Sequence, residues 1–193
     1  MDFLGPILIA ILVIVALLVF MIIGQYNSMV RMRNTIQESW RQIDVELNRR
    51  YELIPNLIET VKGYANHERQ TLESVIKLRN QAATLAQTGA DQEQRAEVEK
   101  QLGQAVHSLM VSVEAYPELR SNVNFLELQR ELVETEDRIA AGRRFYNANV
   151  RSYNTKIQSF PANMLANKFN FEQATYFELT DPEARQAPRV SFN

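Results

Sequence analysis

Hydrophobic and polar positions divide the chain into three stretches. Residues 7–23 are seventeen consecutive apolar positions. Residues 25–160 carry apolar side chains every three or four positions, the pattern of amphipathic helices. Residues 161–193 are rich in aromatic side chains and lose the helical period. The pattern predicts an all-α chain with a membrane anchor at 1–24, a helical bundle at 25–160 and an extended tail packed on the bundle at 161–193.

The first stretch is long enough to cross a bilayer. At about 1.5 Å of rise per residue, the twenty-one residues from Phe3 to Ile23 extend ~31 Å, the thickness of the hydrocarbon core. A cleaved signal peptide is the alternative, and it requires a basic start and small residues at the cleavage site. No Lys or Arg precedes the apolar run, and Met21 to Gly24 lacks such a site. We therefore expect a single uncleaved transmembrane helix.

The charges that flank the apolar run predict its orientation. Arg31, Arg33 and Arg41 follow it, whereas Asp2 is the charged side chain that precedes it. Cytoplasmic flanks carry the excess of Lys and Arg. We expect a single-pass protein of the cell (inner) membrane with its N-terminus outside and its bundle in the cytoplasm.

The first bundle helix is predicted by steps of four and three from Met29 to Val61. Eight of these ten positions are apolar, as expected for a helix packed against other helices. They are Met29, Arg33, Ile36, Trp40, Ile43, Leu47, Arg50, Ile54, Leu57 and Val61. Gly63 is expected to end this helix, which continues the anchor as one rod.

Three further helices follow from the same period. The second is expected between Asn66 and Gly89, and the third begins at the capping box of Asp91 and Gln94. The third is expected to reach Pro117, and a long fourth helix to cover residues 124–160. Because the connections are short, neighbouring helices should be antiparallel. The prediction is an antiparallel bundle of about four long helices.

The tail is expected to be extended. Residues 174–179 and 189–192 have strand-like composition, and Pro182 and Pro188 oppose a helix. Its aromatic content argues against disorder. The side chains expected to lie on the bundle are Phe169, Phe171, Tyr176 and Phe177.

Composition excludes several classes of function. The chain has 21 Lys and Arg against 23 Asp and Glu, a net charge of −2. Non-specific nucleic-acid binding needs clustered excess cations, so no nucleic acid is expected. The sequence has no Cys, which excludes disulfides, thiolate nucleophiles and Cys-bound metals.

Catalytic and cofactor motifs are missing from the sequence. The histidines His67 and His107 are preceded at the third position by Tyr64 and Gln104, so the Glu-x-x-His motif of di-iron bundles does not occur. No phosphate-binding loop or nucleophile elbow occurs either. We expect no catalytic residue, no cofactor, no metal and no enzymatic activity.

Polar residues inside the stripes are the informative positions. A buried charge is costly unless it is paired, so Arg33 and Arg50 are expected to pair with carboxylates of the fourth helix such as Glu136. Asn147 and Asn154, one heptad apart, are expected to fix the helix register.

Two alternatives for the arginines stay open. They form an anion or partner site from Arg49, Arg50, Arg143 and Arg144 beside Tyr51 and Tyr146, or they are exposed residues without a role. The candidate pairing or partner residues are Arg33, Arg49, Arg50, Glu136, Arg143, Arg144, Tyr146 and Asn147.

Several segments, taken in order, resemble a known family. They include Tyr26-Asn27, Gln42 to Val45, Arg49 to Leu57, Glu59 to Ala65, Asn124 to Leu126, Arg143-Arg144 before Tyr146-Asn147, and Phe160-Pro161. The chain resembles the LemA family over nearly its whole length. The resemblance implies a bacterial or archaeal protein with an N-terminal transmembrane segment and an antiparallel helical bundle. The family has no agreed enzyme activity, so the resemblance implies no catalytic residues.

The expected function is that of a non-enzymatic, membrane-anchored helical scaffold that forms homo-oligomers. Its partners would be the lipid bilayer, further copies and other membrane proteins. The resemblance suggests a membrane metalloprotease or a phosphatase-like membrane protein, because relatives are often encoded near these, and one relative is linked to magnetosome membranes. The alternative is a sensory or regulatory bundle that binds a ligand or partner and acts through a separate membrane protein.

Overall fold

The described part of the chain folds into six helices joined by short turns. The computed structural model describes residues 4–63, 69–113 and 115–177. The helices are α1 (Leu4–Lys62), α2 (Arg69–Thr88), α3 (Gln92–Val113), α4 (Pro117–Arg120), α5 (Val123–Gln158) and α6 (Ala162–Lys168). No β-strand occurs within these ranges. The predicted all-α class with long helices is confirmed.

Helix α1 joins the apolar segment to the bundle without a break. It runs for 59 residues and ends one residue before Gly63, as predicted. Among the described residues it is the helix long and apolar enough to cross a membrane, and its apolar window is not buried by protein. Exposed apolar surface of this extent is unfavourable in water. The segment therefore needs an apolar environment outside the chain.

The described residues cluster into two compact units, and α1 and α5 contribute to both. The first unit comprises residues 4–43 and 141–176, and the second comprises 44–63, 69–113, 115–140 and Phe177. Each unit therefore contains one part of α1 and one part of α5.

The second unit is built around apolar stripes on five helices. Within this unit most apolar positions of the predicted stripes on α1, α3 and α5 are buried, together with residues of α2 and α4. Its buried side chains include Leu47, Ile54, Leu57, Leu72, Val75, Leu102, Leu109, Leu119, Phe125, Leu132 and Ile139. Each such side chain contributes on the order of 1.5–3 kcal/mol when it leaves water. Helical periodicity therefore identified this core correctly.

A tight turn joins α2 to α3, which pack against each other as a hairpin. Gly89 has a φ of 68°, a conformation that costs glycine little. The N–H of Ala90 then donates to the carbonyl of Leu85 at 3.2 Å. On the other side, Asp91 Oδ1 accepts from the backbone N–H of Gln94 at 2.9 Å. The predicted cap at Asp91 is thus present.

In the first unit α1 and α5 run antiparallel and approach closely. The Trp40 and Tyr146 rings meet edge to face at 5.5 Å, and Asn149 Nδ2 donates to Ser39 Oγ at 2.9 Å. A Cβ at Gly142 would lie 3.0 Å from Cγ1 of Ile43. A side chain at position 142 would require Ile43 to shift by a few tenths of an ångström, so glycine suits this close approach.

The segment after α6 lies along α5 within the first unit. Asn154 holds Ala174 by both backbone groups: its Nδ2 donates to the carbonyl and its Oδ1 accepts from the N–H, each at 2.9 Å. The Tyr146 hydroxyl donates to the carbonyl of Thr175 at 2.8 Å. Side chains of α5 therefore bind this segment through its backbone.

Proline positions account for the boundaries that differ from the prediction. Helix α5 ends at Gln158 and leaves Phe160 80% exposed, because a residue before proline is disfavoured in helical conformation. Helix α3 ends at Val113, and Pro117 begins α4 instead of ending α3. Proline is well accommodated in a first turn.

Helix α6 was not expected, because seven residues are too few to show a period. The expected cap at Asn66 and the expected extended segment 189–192 lie outside the described residues.

Candidate functional site

The centre of the second unit is a buried guanidinium that joins three helices. Arg50 of α1 donates through one terminal nitrogen to Glu99 of α3, and through Nη1 to Oε1 of Glu136 on α5 at 2.8 Å. The side chains of Arg50 and Glu99 are only 3% and 4% exposed, whereas that of Glu136 is 40% exposed. The pair of Arg50 and Glu99 is therefore removed from water.

The next residue of α1 completes the coordination of Glu99. The Tyr51 hydroxyl donates to the second carboxylate oxygen of Glu99, so both oxygens of this carboxylate are engaged. Arg79 of α2 donates from Nε to the backbone carbonyl of Tyr51 at 2.9 Å. Four helices of the second unit, α1, α2, α3 and α5, thereby meet at residues 50 and 51.

Burial and charge act in opposite directions on Arg50. Burial alone lowers the pKa of its guanidinium. The nearby carboxylates of Glu136 and Glu99 raise this pKa by more than burial lowers it, so the net shift is upward. For Tyr51, burial and the charge of Glu99 both raise the pKa of the phenol. In the folded protein Arg50 is thus held as a cation and Tyr51 as a neutral hydrogen-bond donor.

A glycine on α3, Gly103, lies beside the guanidinium. A Cβ at Gly103 would lie 3.7 Å from Nη1 of Arg50, which is ordinary contact distance. Gly103 is four residues after Glu99 and therefore on the same face of the helix. The Nε atom of Arg50 is buried and has no hydrogen-bond partner among the described residues.

Further ion pairs surround the buried pair. Arg95 of α3 donates to Asp44 of α1. Arg138 of α5 lies 3.5 Å from Glu46 and also pairs with Glu134. The Arg95–Asp44 and Arg138–Glu46 pairs link α1 to α3 and to α5, whereas Glu134 and Arg138 both belong to α5.

The predicted arginine pair at 49 and 50 has two unequal members. Arg49 lies 3.9 Å from Glu131, and both side chains are more than one third exposed. Exposed pairs of this kind contribute about 0–1 kcal/mol. Arg50, one position further, is directed into the core.

The remaining predicted residues lie in the first unit. The guanidinium of Arg33 is 5.3 Å from the centre of the Phe171 ring, a cation–π contact. Within the described residues Arg33 forms no ion pair with a carboxylate of α5, in contrast to the expectation from sequence. Tyr146 is buried, Arg143 and Asn147 are half-buried, and Arg144 is exposed. The four arginines of the alternative anion site are thus divided between the two units.

Two members of the network were missed in the sequence, namely Glu99 and Arg95. Both are buried. They continue the heptad spacing of four buried apolar residues of α3, namely Leu102, Val106, Leu109 and Val113. The signal that could have identified them is a charged residue at a position that belongs to the apolar stripe of its helix. The same signal identified Arg50 on α1.

The chemistry of this network is that of cross-linking helices. The carboxylates and the phenol are used for contacts with one another, and the described residues contain no group of His, Asp or Glu side chains suited to a metal ion. The geometry defines a long-helix bundle that has a buried charge network and continues from an apolar N-terminal helix.

Comparison with known sequences identifies the family. A sequence model of the LemA family matches residues 39–192, and the chain belongs to this family. It is 27% identical to Protein LemA of Metamycoplasma hominis over 164 residues, which is 85% of this chain and 74% of the relative.

Magnetosome proteins are also among its relatives. It is 28% identical to Magnetosome protein MamQ 2 and to Magnetosome protein MamQ 1 of Paramagnetospirillum magneticum over 200 residues. The match covers 90% of this chain and 73% of each relative. The resemblance to the LemA family inferred from sequence segments is confirmed.

Replacing Arg50 should destabilise the second unit strongly. In Arg50→Met, Glu99 stays buried without its cation, and such a loss costs about 3–5 kcal/mol. The adjacent Arg49→Met is the matched control, with an expected cost below about 1 kcal/mol. Adding Glu99→Gln to Arg50→Met should recover part of the loss, because the uncompensated charge is removed. Denaturant unfolding of the full chain in detergent, followed by circular dichroism, measures all three.

Equal unfolding free energies for Arg50→Met and Arg49→Met would contradict a structural role for Arg50. An unchanged melting temperature combined with loss of partner capture would instead support the alternative anion or partner site.

Tyr51 should make the second unit sensitive to alkaline pH. Its pKa is raised above the ordinary value of 10.0, so the unfolded chain releases this proton first as the pH rises. The stabilisation of the folded state by the neutral Tyr51 hydroxyl is complete below pH ~10. Above this pH the free energy of unfolding falls by up to ~1.4 kcal/mol per pH unit. Tyr51→Phe loses a hydrogen bond, and its free energy of unfolding should be lower than that of the wild type by a constant amount from neutral pH to pH ~9. Above pH ~10 this difference should shrink, and a constant difference would refute the assignment.

Proposed function

We propose that this protein is a single-pass membrane scaffold whose helical bundle associates with further copies of itself and with other membrane proteins. The observation that carries the proposal is the continuity of α1. One helix begins as an apolar segment that no part of the described protein covers, and it ends as a core helix of the second unit. A bundle attached in this way stays at the membrane surface, where lateral association is favoured by high local concentration.

A role without catalysis is supported by the use of the charged groups in the bundle. Arg50, Glu99 and Tyr51 are engaged in holding helices together. Two relatives are named as magnetosome proteins, and neither those names nor the family name states a reaction. These findings favour an interaction protein over an enzyme.

The proposed orientation has the N-terminus outside and the bundle in the cytoplasm of a bacterial cell, anchored in the inner membrane. Arg31, Arg33 and Arg41 follow the apolar segment and favour retention of that side in the cytoplasm. Arg31 and Arg33 are exposed on α1. Their charges are therefore accessible at the end of the apolar segment, where they can favour the cytoplasmic side.

Reporter fusions after Asn193 should show a cytoplasmic bundle. A green fluorescent protein fusion should fluoresce, and an alkaline phosphatase fusion should be inactive because the phosphatase folds only after export. Arg31→Gln with Arg33→Gln and Asp2→Lys removes the charge bias and should produce phosphatase activity in part of the population. An active phosphatase fusion of the unmodified chain would overturn the proposed orientation.

Self-association should be detectable between two tagged copies of the full chain. When both are co-expressed and solubilised in mild detergent, purification through one tag should recover the other. Copies solubilised separately and then mixed are the control, because they exchange only if association forms after extraction. Monomeric mass at all concentrations, with no co-purification, would refute a homo-oligomeric scaffold.

A further inference from the structure

The membrane-proximal end of the first unit follows from its helix register. Ser39 of α1 contacts Asn149 of α5, and the two helices are antiparallel. Positions of α1 that precede Ser39 therefore face positions of α5 that follow Asn149. Tyr26 is thirteen residues before Ser39, and thirteen residues after Asn149 is Ala162, the first residue of α6. Helix α6 consequently lies level with the end of the apolar segment.

A direct contact agrees with this placement. The rings of Tyr26 and Phe169 meet edge to face with centres 5.0 Å apart. Tyr26 is three residues after Ile23, or ~4.5 Å along the helix axis. Phe169 immediately follows α6, so the C-terminal end of α6 is held within one helical turn of the apolar segment.

The outer side of this region is apolar and exposed. Phe160 is 80%, Met164 66% and Phe169 47% exposed, whereas Ala162 and Ala166 are buried. The small residues thus form the inner side of α6. Phe160 and Met164 are directed away from the protein, and Phe169 is half exposed beside its contact with Tyr26. We call Phe160, Met164 and Phe169 the α6 edge.

The segments that meet at the α6 edge carry basic residues, and the nearest acidic residue that follows them in sequence is Glu172. Residues 25–33 and 156–171 contain four cations and no Asp or Glu. The cations are Arg31, Arg33, Lys156 and Lys168. Basic residues beside exposed apolar ones are the pattern of elements that bind the interface of an anionic bilayer.

We propose that the α6 edge is a second membrane contact, inserted into the headgroup region of the bilayer that α1 spans, with the flanking cations on anionic lipid. The inference rests on the proposed function, because it requires α1 to be in a membrane. A lipid surface is favoured over a second copy because the edge adjoins the apolar segment at the depth where aromatic side chains gather in membrane proteins. The contact gives the first unit two attachments to the bilayer and fixes its orientation there.

Single cysteines test the contact, because the chain has no native Cys. Met164→Cys is labelled with an environment-sensitive fluorophore, and the full chain is reconstituted into phosphatidylcholine vesicles with and without phosphatidylglycerol. The matched control is Phe145→Cys, an exposed aromatic position (53%) on α5 of the same unit. It is fifteen residues before Phe160, or ~22 Å along the axis. Ile14→Cys reports whether α1 is in the bilayer.

Brominated lipid quenches a fluorophore that lies in the bilayer, whereas aqueous iodide quenches a fluorophore that is exposed to water. Lipid quenching at position 164 should exceed that at position 145 by about threefold, and iodide should show the reverse order. Lys168→Glu, or omission of phosphatidylglycerol, should weaken lipid quenching at 164, because one cation changes association with an anionic surface by about fivefold.

The label at position 14 separates the two proposals. If position 14 is quenched by lipid while position 164 is as accessible to iodide as position 145, the membrane contact is refuted and the anchor stands. If position 164 is protected from both quenchers, a protein surface covers the edge, and the lipid contact is again refuted. If position 14 itself is not quenched by lipid, the proposed anchor fails.

Discussion

The buried ion pair between Arg50 and Glu99 is the constraint on which the second unit depends. A guanidinium removed from water is unfavourable unless its charge is compensated. The compensation comes from Glu99 on α3 and Glu136 on α5. These contacts therefore constrain the axial rotation and register of both helices relative to α1, because they are directional, whereas apolar side chains alone tolerate alternative packings.

Helices and core were predictable from sequence because they follow from a local period. The stripe from Met29 to Val61 required only spacing, and the sharp turn at Gly89 required only one residue type. The placement of Arg50 against Glu136 followed from the cost of burying a charge. Glu99 was missed although the same argument applies to α3, since its register with Leu102 becomes visible only when charged residues are counted as part of the stripe.

Other features depend on contacts that no local pattern contains. Arg33 lies over the ring of Phe171, which is 138 positions further along the chain. Phe160 satisfies the spacing of the α5 stripe but is exposed, because Pro161 ends the helical conformation before it. The division of α1 and α5 between two compact units is likewise a result of tertiary contacts. The helical period of each helix continues through the residue at which the units divide, so it does not predict the division.

The attachment of the final described segment to α5 has a consequence for sequence variation. Asn154 binds the backbone N–H and carbonyl of residue 174, and Tyr146 binds the carbonyl of residue 175. Every residue except proline offers the same two backbone groups. Positions 174 and 175 are thus free to mutate as far as these bonds are concerned, whereas position 154 must supply a donor and an acceptor together. Ionised aspartate, which differs from asparagine by one group, lacks the donor, so this contact tolerates substitution at residues 174 and 175, which contribute only backbone groups, but not at position 154.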